Sequence, residues 1–184
     1  MNPQVLSQAV SISRGVLVNV TPDQLGNSTP CASWTVSGLI NHMVGALDFF
    51  AAGLTGAAPS GETDYAAGDF LASFDTASTK CINEFSGEGV MEKMYTLPFG
   101  QMPGSAFIGL AITDTFTHAW DLAKALGQST DLAPELAEGL LAGAKMAIPD
   151  AMRGPEPMPF AAQQTAPEGA TNADKLAAFL GRTV

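Results

Sequence analysis

From Gly104 to Leu126 the chain carries only three charged side chains, Asp114, Asp121 and Lys124, and Gly127 then supplies a stop. A segment this apolar is expected to be the central helix, with the rest of the chain arranged around it. Gly and Pro punctuation separates four or five such helical stretches, and no fixed-period repeat relates them. Asn2 can cap a helix with Pro3 at its first position, and Val5, Ala9, Ile12 and Val16 recur at helical spacing before a stop near Thr21 and Pro22. Ser33 or Thr35 can cap a second helix whose stripe is Val36, Ile40, Met43, Leu47 and Phe50. After a Gly/Pro/Ser loop from Gly53 to Gly61, a third helix is expected from about Asp64 to Phe85, with Phe70, Phe74, Ala77, Cys81 and Phe85 on one side.

The stretch from Glu92 to Met102 alternates and ends at Gly100 and Pro103, which fits a short extended segment or hairpin arm. A fifth helix starts behind Pro134 and runs to Ile148, where Pro149 ends it, and a last short helix spans Asp174 to Leu180. Between them the chain is rich in Pro, Gly, Ala and Gln and has no periodicity. A loop of that length inside one domain usually carries function, and Met152, Met158 and Phe160 within it want burial. The sequence therefore places the segment from Pro149 to Asn172 partly over a pocket at the histidine and aspartate site described below, with Phe160 as its plug.

Composition narrows the function classes. The chain has 184 residues, 46% of them hydrophobic and 14% charged, which suits one packed domain over 1–184. Eighteen acidic against eight basic side chains give a net charge of -10. Such a surface repels nucleic acid and anionic membranes. Met1 to Val20 lacks a basic region followed by a compact apolar run, so a cytoplasmic location is expected. Two cysteines, Cys31 and Cys81, make no disulfide framework and are expected to be thiols.

The chain has two histidines, His42 and His118, each inside an otherwise apolar helix. Asp114 and His118 are four residues apart and share one helix face, with Asp121 three residues further on that face. His42 lies at the edge of the core stripe of the second helix. Two imidazoles and a carboxylate from facing helices make a set that suits a divalent transition metal and leaves coordination positions open. The same spacing also serves a core histidine held by a carboxylate. Asp121 is expected to hold a ligand imidazole or a helix-end donor such as the Trp34 N–H. Trp34 and Trp120 read as packing residues whose N–H groups need partners. Ser33 reads as a cap, since no third histidine could serve as its base. Cys31, one turn before the second helix, reads as a surface or packing thiol.

Three segments together carry a resemblance. They are Thr29-Pro30-Cys31-x-x-Trp34-x-Val36-x-x-Leu39-x-x-His42, then Asp114-x-x-x-His118-x-Trp120-Asp121-Leu122-Ala123, then Asp174-Lys175-Leu176-x-x-Phe179-Leu180-Gly181-Arg182. The chain resembles the actinobacterial branch of the DinB / mycothiol-dependent maleylpyruvate isomerase superfamily, in a small single-domain subgroup. The resemblance implies an all-α fold, an up-down-down-up four-helix bundle with extra short helices and a short β-hairpin as an option. It further implies a divalent metal at one end, zinc first and nickel second, with His42 and His118 as ligands. Asp114 falls where the isomerase pattern has Glu, one methylene longer. The isomerase also carries an additional C-terminal domain for which no room follows here, so chemistry other than maleylpyruvate isomerisation is expected.

Three functions follow from that reading. One is a metal-dependent transferase using a low-molecular-weight thiol such as mycothiol on a small electrophile. The second is a hydrolase in which metal-bound water attacks, and the third is a non-catalytic metal-binding protein. The thiol and the electrophile are the expected partners, with a homodimer as one open assembly.

Overall fold

The computed structural model describes every residue except 32, 156, 157 and 159. Among the described residues six helices and one two-stranded hairpin follow in the order α1 Pro3–Leu17, α2 Val36–Thr55, α3 Phe70–Phe85, β1 Met94–Leu97, β2 Gly100–Pro103, α4 Gly104–Ala125, α5 Pro134–Ala147 and α6 Asn172–Phe179. The helical fold expected from the periodicity is therefore present, and so is the hairpin.

Local chemistry explains most of the boundaries. The Asn2 side chain accepts a hydrogen bond from the Val5 N–H with Pro3 in the first turn, and Thr35 caps α2 by accepting from the Gly38 N–H. The first helix ends at Leu17, earlier than the sequence indicates, and a short 3-10 turn at Pro22–Gln24 follows. The third helix starts later, at Phe70, because Asp69 rather than Asp64 is its cap; Asp64 instead accepts a hydrogen bond from the Asn41 side chain.

Gly53 is not a loop residue. It lies inside α2, where an added Cβ would sit 2.9 Å from Leu97 Cδ2 and from the Phe107 ring. The missing side chain lets β1 and α4 approach α2, and the helix ends only at Gly56, whose φ of 75° is left-handed.

Helix α4 is the hub. It packs on α1 and α2, which themselves pack on α3, so that α1 to α4 close a ring of helix contacts, while α5 pairs with α6 and α6 touches α4. The enclosed core contains Leu39, Leu47, Phe74, Phe107, Phe116 and Trp120, all fully buried. The Trp120 N–H donates to Asp174 Oδ1 at 2.9 Å, which is how the short C-terminal helix is fastened to α4. Asp174 also completes a capping box with Thr171, and this moves the start of α6 forward to Asn172.

The segment after α5 folds against α6. Arg153 Nη1 donates to the Phe179 carbonyl at 2.7 Å, the Gln164 N–H donates to the Ala178 carbonyl, and the Arg153 guanidinium lies 4.3 Å from the Phe179 ring. Phe160 is half-buried, and its N–H donates to the Met152 carbonyl within the same segment. Positions 156, 157 and 159 of that segment lie outside the described residues. No described helix is long and apolar enough to cross a membrane.

Candidate metal centre

Helix α4 presents Asp114, His118 and Asp121 from successive turns of one face, and α2 brings His42 to meet them. Asp114 Oδ1 lies 3.3 Å from His42 Nε2 and 3.4 Å from His118 Nε2. One carboxylate oxygen thus stands between two imidazole nitrogens. The two rings are 4.5 Å apart and nearly perpendicular. Exposure falls from 29% for His42 and 27% for Asp114 to 10% for His118, so the donors open to solvent on the α2 side and close inward.

The far side of His118 is occupied as well. Its Nδ1 is 3.0 Å from Asp121 Oδ2, and Asp121 is completely buried. A carboxylate can only accept, so Nδ1 carries the proton and Nε2 is the atom turned to Asp114. Burial alone would lower the pKa of His118. Asp114 and Asp121, one on each ring nitrogen, outweigh it and hold the imidazole cationic well above its ordinary range. By the same balance, burial disfavours the Asp114 carboxylate but the two imidazoles keep it below the usual carboxylate range.

Two further side chains belong to this cluster and were not expected there. The Cys31 thiol donates to Asp121 Oδ2 at 3.1 Å and lies 3.9 Å from His118 Nδ1. Arg182 donates from Nε to Asp121 Oδ1 at 3.2 Å and from Nη2 to Oδ2 at 2.9 Å. His118 and Arg182 together keep Asp121 ionised despite the burial that opposes its charge. Trp34 makes its contact elsewhere: its ring stacks on His42 at 4.4 Å and an interplanar angle of 25°.

Among the described residues, two sets of donors are close enough to hold an ion, His42/Asp114/His118 and Cys31/His118/Asp121. Their spacing separates them. A tetrahedral ion with bonds of about 2.1 Å keeps its ligand atoms about 3.4 Å apart. Asp114 stands at 3.3 and 3.4 Å from its two nitrogens, the shorter also a hydrogen-bond contact with His42, and both distances fit. The second set has edges of 3.0 and 3.1 Å, which are hydrogen-bond lengths, and it already holds the Arg182 cation. Thr117, one turn after Asp114, buries a hydroxyl that has no hydrogen-bond partner.

Asp121 and His118 show themselves in the sequence as polar residues on an apolar helix. Arg182 and Cys31 give no such local signal. The available clue was indirect: a carboxylate buried beside one histidine needs a second cation, and a Gly-Arg pair closing a short helix can deliver one. Two cavities lie apart from these donors, one of about 190 Å³ bordered by Phe49, Gly53 and Leu97, and one of about 590 Å³ bordered by Asn41, Gly45 and Tyr65.

With this geometry in hand, the comparisons with known proteins are specific. Residues 6–123 match the family described as the mycothiol maleylpyruvate isomerase N-terminal domain, and the chain belongs to that family. Two uncharacterized proteins of Mycobacterium tuberculosis, one from each of two strains, are 43% identical to it over 185 residues, covering all of this chain and all of each relative. No solved structure matches the chain.

Proposed function

We propose that residues 1–184 act as one metal-binding domain in which His42, Asp114 and His118 hold a divalent ion, zinc first and nickel second. We propose further that this centre serves an S-transferase using a low-molecular-weight thiol such as mycothiol on a small electrophile. The observation that carries the reading is Asp114 Oδ1 standing between two imidazole nitrogens at the spacing an ion requires. Membership of a mycothiol-related family supports the choice of thiol.

A bound ion would hold the thiol as a thiolate near neutral pH, which is the nucleophile such a reaction needs. The protein's own contribution is orientation. Asp121 keeps the proton on His118 Nδ1, so an entering ion would displace only the Nε2 proton that faces Asp114, as carboxylate partners of ligand histidines allow. Trp34 fixes the His42 plane by stacking. The opening beside His42 and Asp114 is where a thiol would enter. The reading places the protein with a cytoplasmic thiol pool; no described helix is long and apolar enough to cross a membrane.

Metal analysis of the purified protein followed by titration with mycothiol tests this. The expected result is one divalent ion per chain and heat of thiol binding that chelator abolishes. If millimolar mycothiol gives no heat while the metal is present, the transferase reading is wrong, and water-based hydrolysis or a non-catalytic ion accounts better for the site.

A further inference from the structure

We infer that Arg182 is a positioning residue of the metal centre: by clamping both oxygens of Asp121 it fixes the carboxylate that orients His118, and so sets how tightly and in what geometry an ion is held. This rests on the metal reading given above.

The path begins with how the chain delivers the side chain. Helix α6 ends at Phe179, and Gly181 adopts a left-handed φ of 95°. The Gly181 N–H donates to the Ala178 carbonyl and the Arg182 N–H to the Ala177 carbonyl, the paired bonds of a Schellman stop. Any side chain at 181 would meet Ala161, since a Cβ there falls 2.6 Å from the Ala161 Cβ. The backbone at Arg182 is therefore held from two sides, by α6 and by the segment that follows α5.

Each nitrogen of the guanidinium has a partner. Nε and Nη2 take one oxygen each of Asp121, and Nη1 donates to the Leu180 carbonyl at 3.1 Å. Arg182 is 18% exposed and Asp121 is not exposed at all. A planar fork against a planar carboxylate fixes the rotation of that carboxylate, which a single point charge cannot do. Without the fork, only Oδ2 keeps partners, the His118 ring and the Cys31 thiol. The carboxylate could then turn, and the His118 ring with it. Asp121 and Arg182 are 61 residues apart in the chain, so the ligand geometry depends on the docking of the C-terminal turn.

The test uses the full-length protein carrying Arg182→Met and, separately, Arg182→Lys. Cobalt(II) is titrated by its visible absorption, and each sample is normalised to its folded fraction by circular dichroism. Both variants should bind cobalt(II) about ten- to a hundredfold more weakly, the range seen when an outer partner of a ligand histidine is lost, and should show an altered visible band at saturation. Lysine keeps the charge without the fork, so it should restore little. The band reports ligand geometry in molecules that have bound, and a purely structural role would leave it unchanged. Wild-type affinity and an unaltered band in either folded variant would overturn the inference while leaving the metal reading intact. If the wild-type protein itself takes up no cobalt(II), the metal reading falls and takes the inference with it. If Arg182→Met fails to fold, Arg182→Lys decides alone.

Discussion

Replacing Asp114 by Asn changes one atom of the side chain and removes the charge that both imidazoles face. The magnitude follows from how little the site must move. Asp114 Oδ1 is 3.3 and 3.4 Å from the two Nε2 atoms, against about 3.4 Å in a tetrahedral complex, so an ion enters without rearranging the helices. An ion present at a hundred times its dissociation constant stabilises the folded chain by about 2.7 kcal/mol. For a domain of this size each kcal/mol moves the melting temperature by about 2–4 °C, so zinc should raise it by about 5–11 °C. The amide oxygen of Asn is a much weaker ligand, and in Asp114→Asn the rise should shrink to about 2 °C or less at the same zinc concentration. The assay is differential scanning fluorimetry of chelator-stripped protein at pH 7, with and without zinc. An equal rise in the wild type and in Asp114→Asn would place the stabilising ion away from Asp114 and refute the reasoning.

Two other outcomes follow from the fold. Gly53→Ala forces a methyl against Leu97 and the fully buried Phe107, an overpacking that should cost about 1–3 kcal/mol in urea unfolding, and an unchanged midpoint would show that α2 and α4 can separate freely. Asp48 has its pKa lowered to about 2, chiefly by the Lys80 ammonium and then by Ser60. A carboxylate with a depressed folded value stabilises the protein above its unfolded pKa near 4, and loses that contribution as pH falls through about 2. Asp48→Asn should therefore cost about 1–2 kcal/mol at pH 7, allowing for the half-exposed lysine, with the gap to wild type closing between pH 4 and 2 in urea titrations. A gap constant across that range would remove the ion pair as its cause.

The parts of this molecule that could be read from the sequence are those governed by neighbours along the chain. Asn2 with Pro3 and Thr35 announced their helices because caps act within three residues, and Asp114, His118 and Asp121 announced themselves because a helix repeats every 3.6. Gly53 was misplaced for the opposite reason. Its meaning depends on Phe107 and Leu97, and no local rule distinguishes a glycine that breaks a helix from one that lets another helix in. Asp64 has a helix-capping side chain but is drawn to Asn41. The outer half of the site was hidden in the same way. Cys31, Arg182 and Asp174 acquire their roles from residues between 54 and 90 positions away, the separations of Asp174 from Trp120 and of Cys31 from Asp121. The N–H that Trp120 needed to satisfy was evident, but its acceptor was not.

The fastening of α6 to α4 has a practical consequence for how this family is divided. The family match stops at residue 123, which includes His42, Asp114, His118 and Asp121 yet leaves out Asp174 and Arg182. A chain cut at that boundary would keep every nitrogen and oxygen assigned to the ion. It would also expose the Trp120 indole and leave the Asp121 carboxylate with one cationic neighbour in place of two. In this chain, a boundary drawn at residue 123 would therefore separate the proposed ligands from Asp174 and Arg182, which brace them. Anyone excising the domain for crystallography or grafting should carry the chain through Arg182.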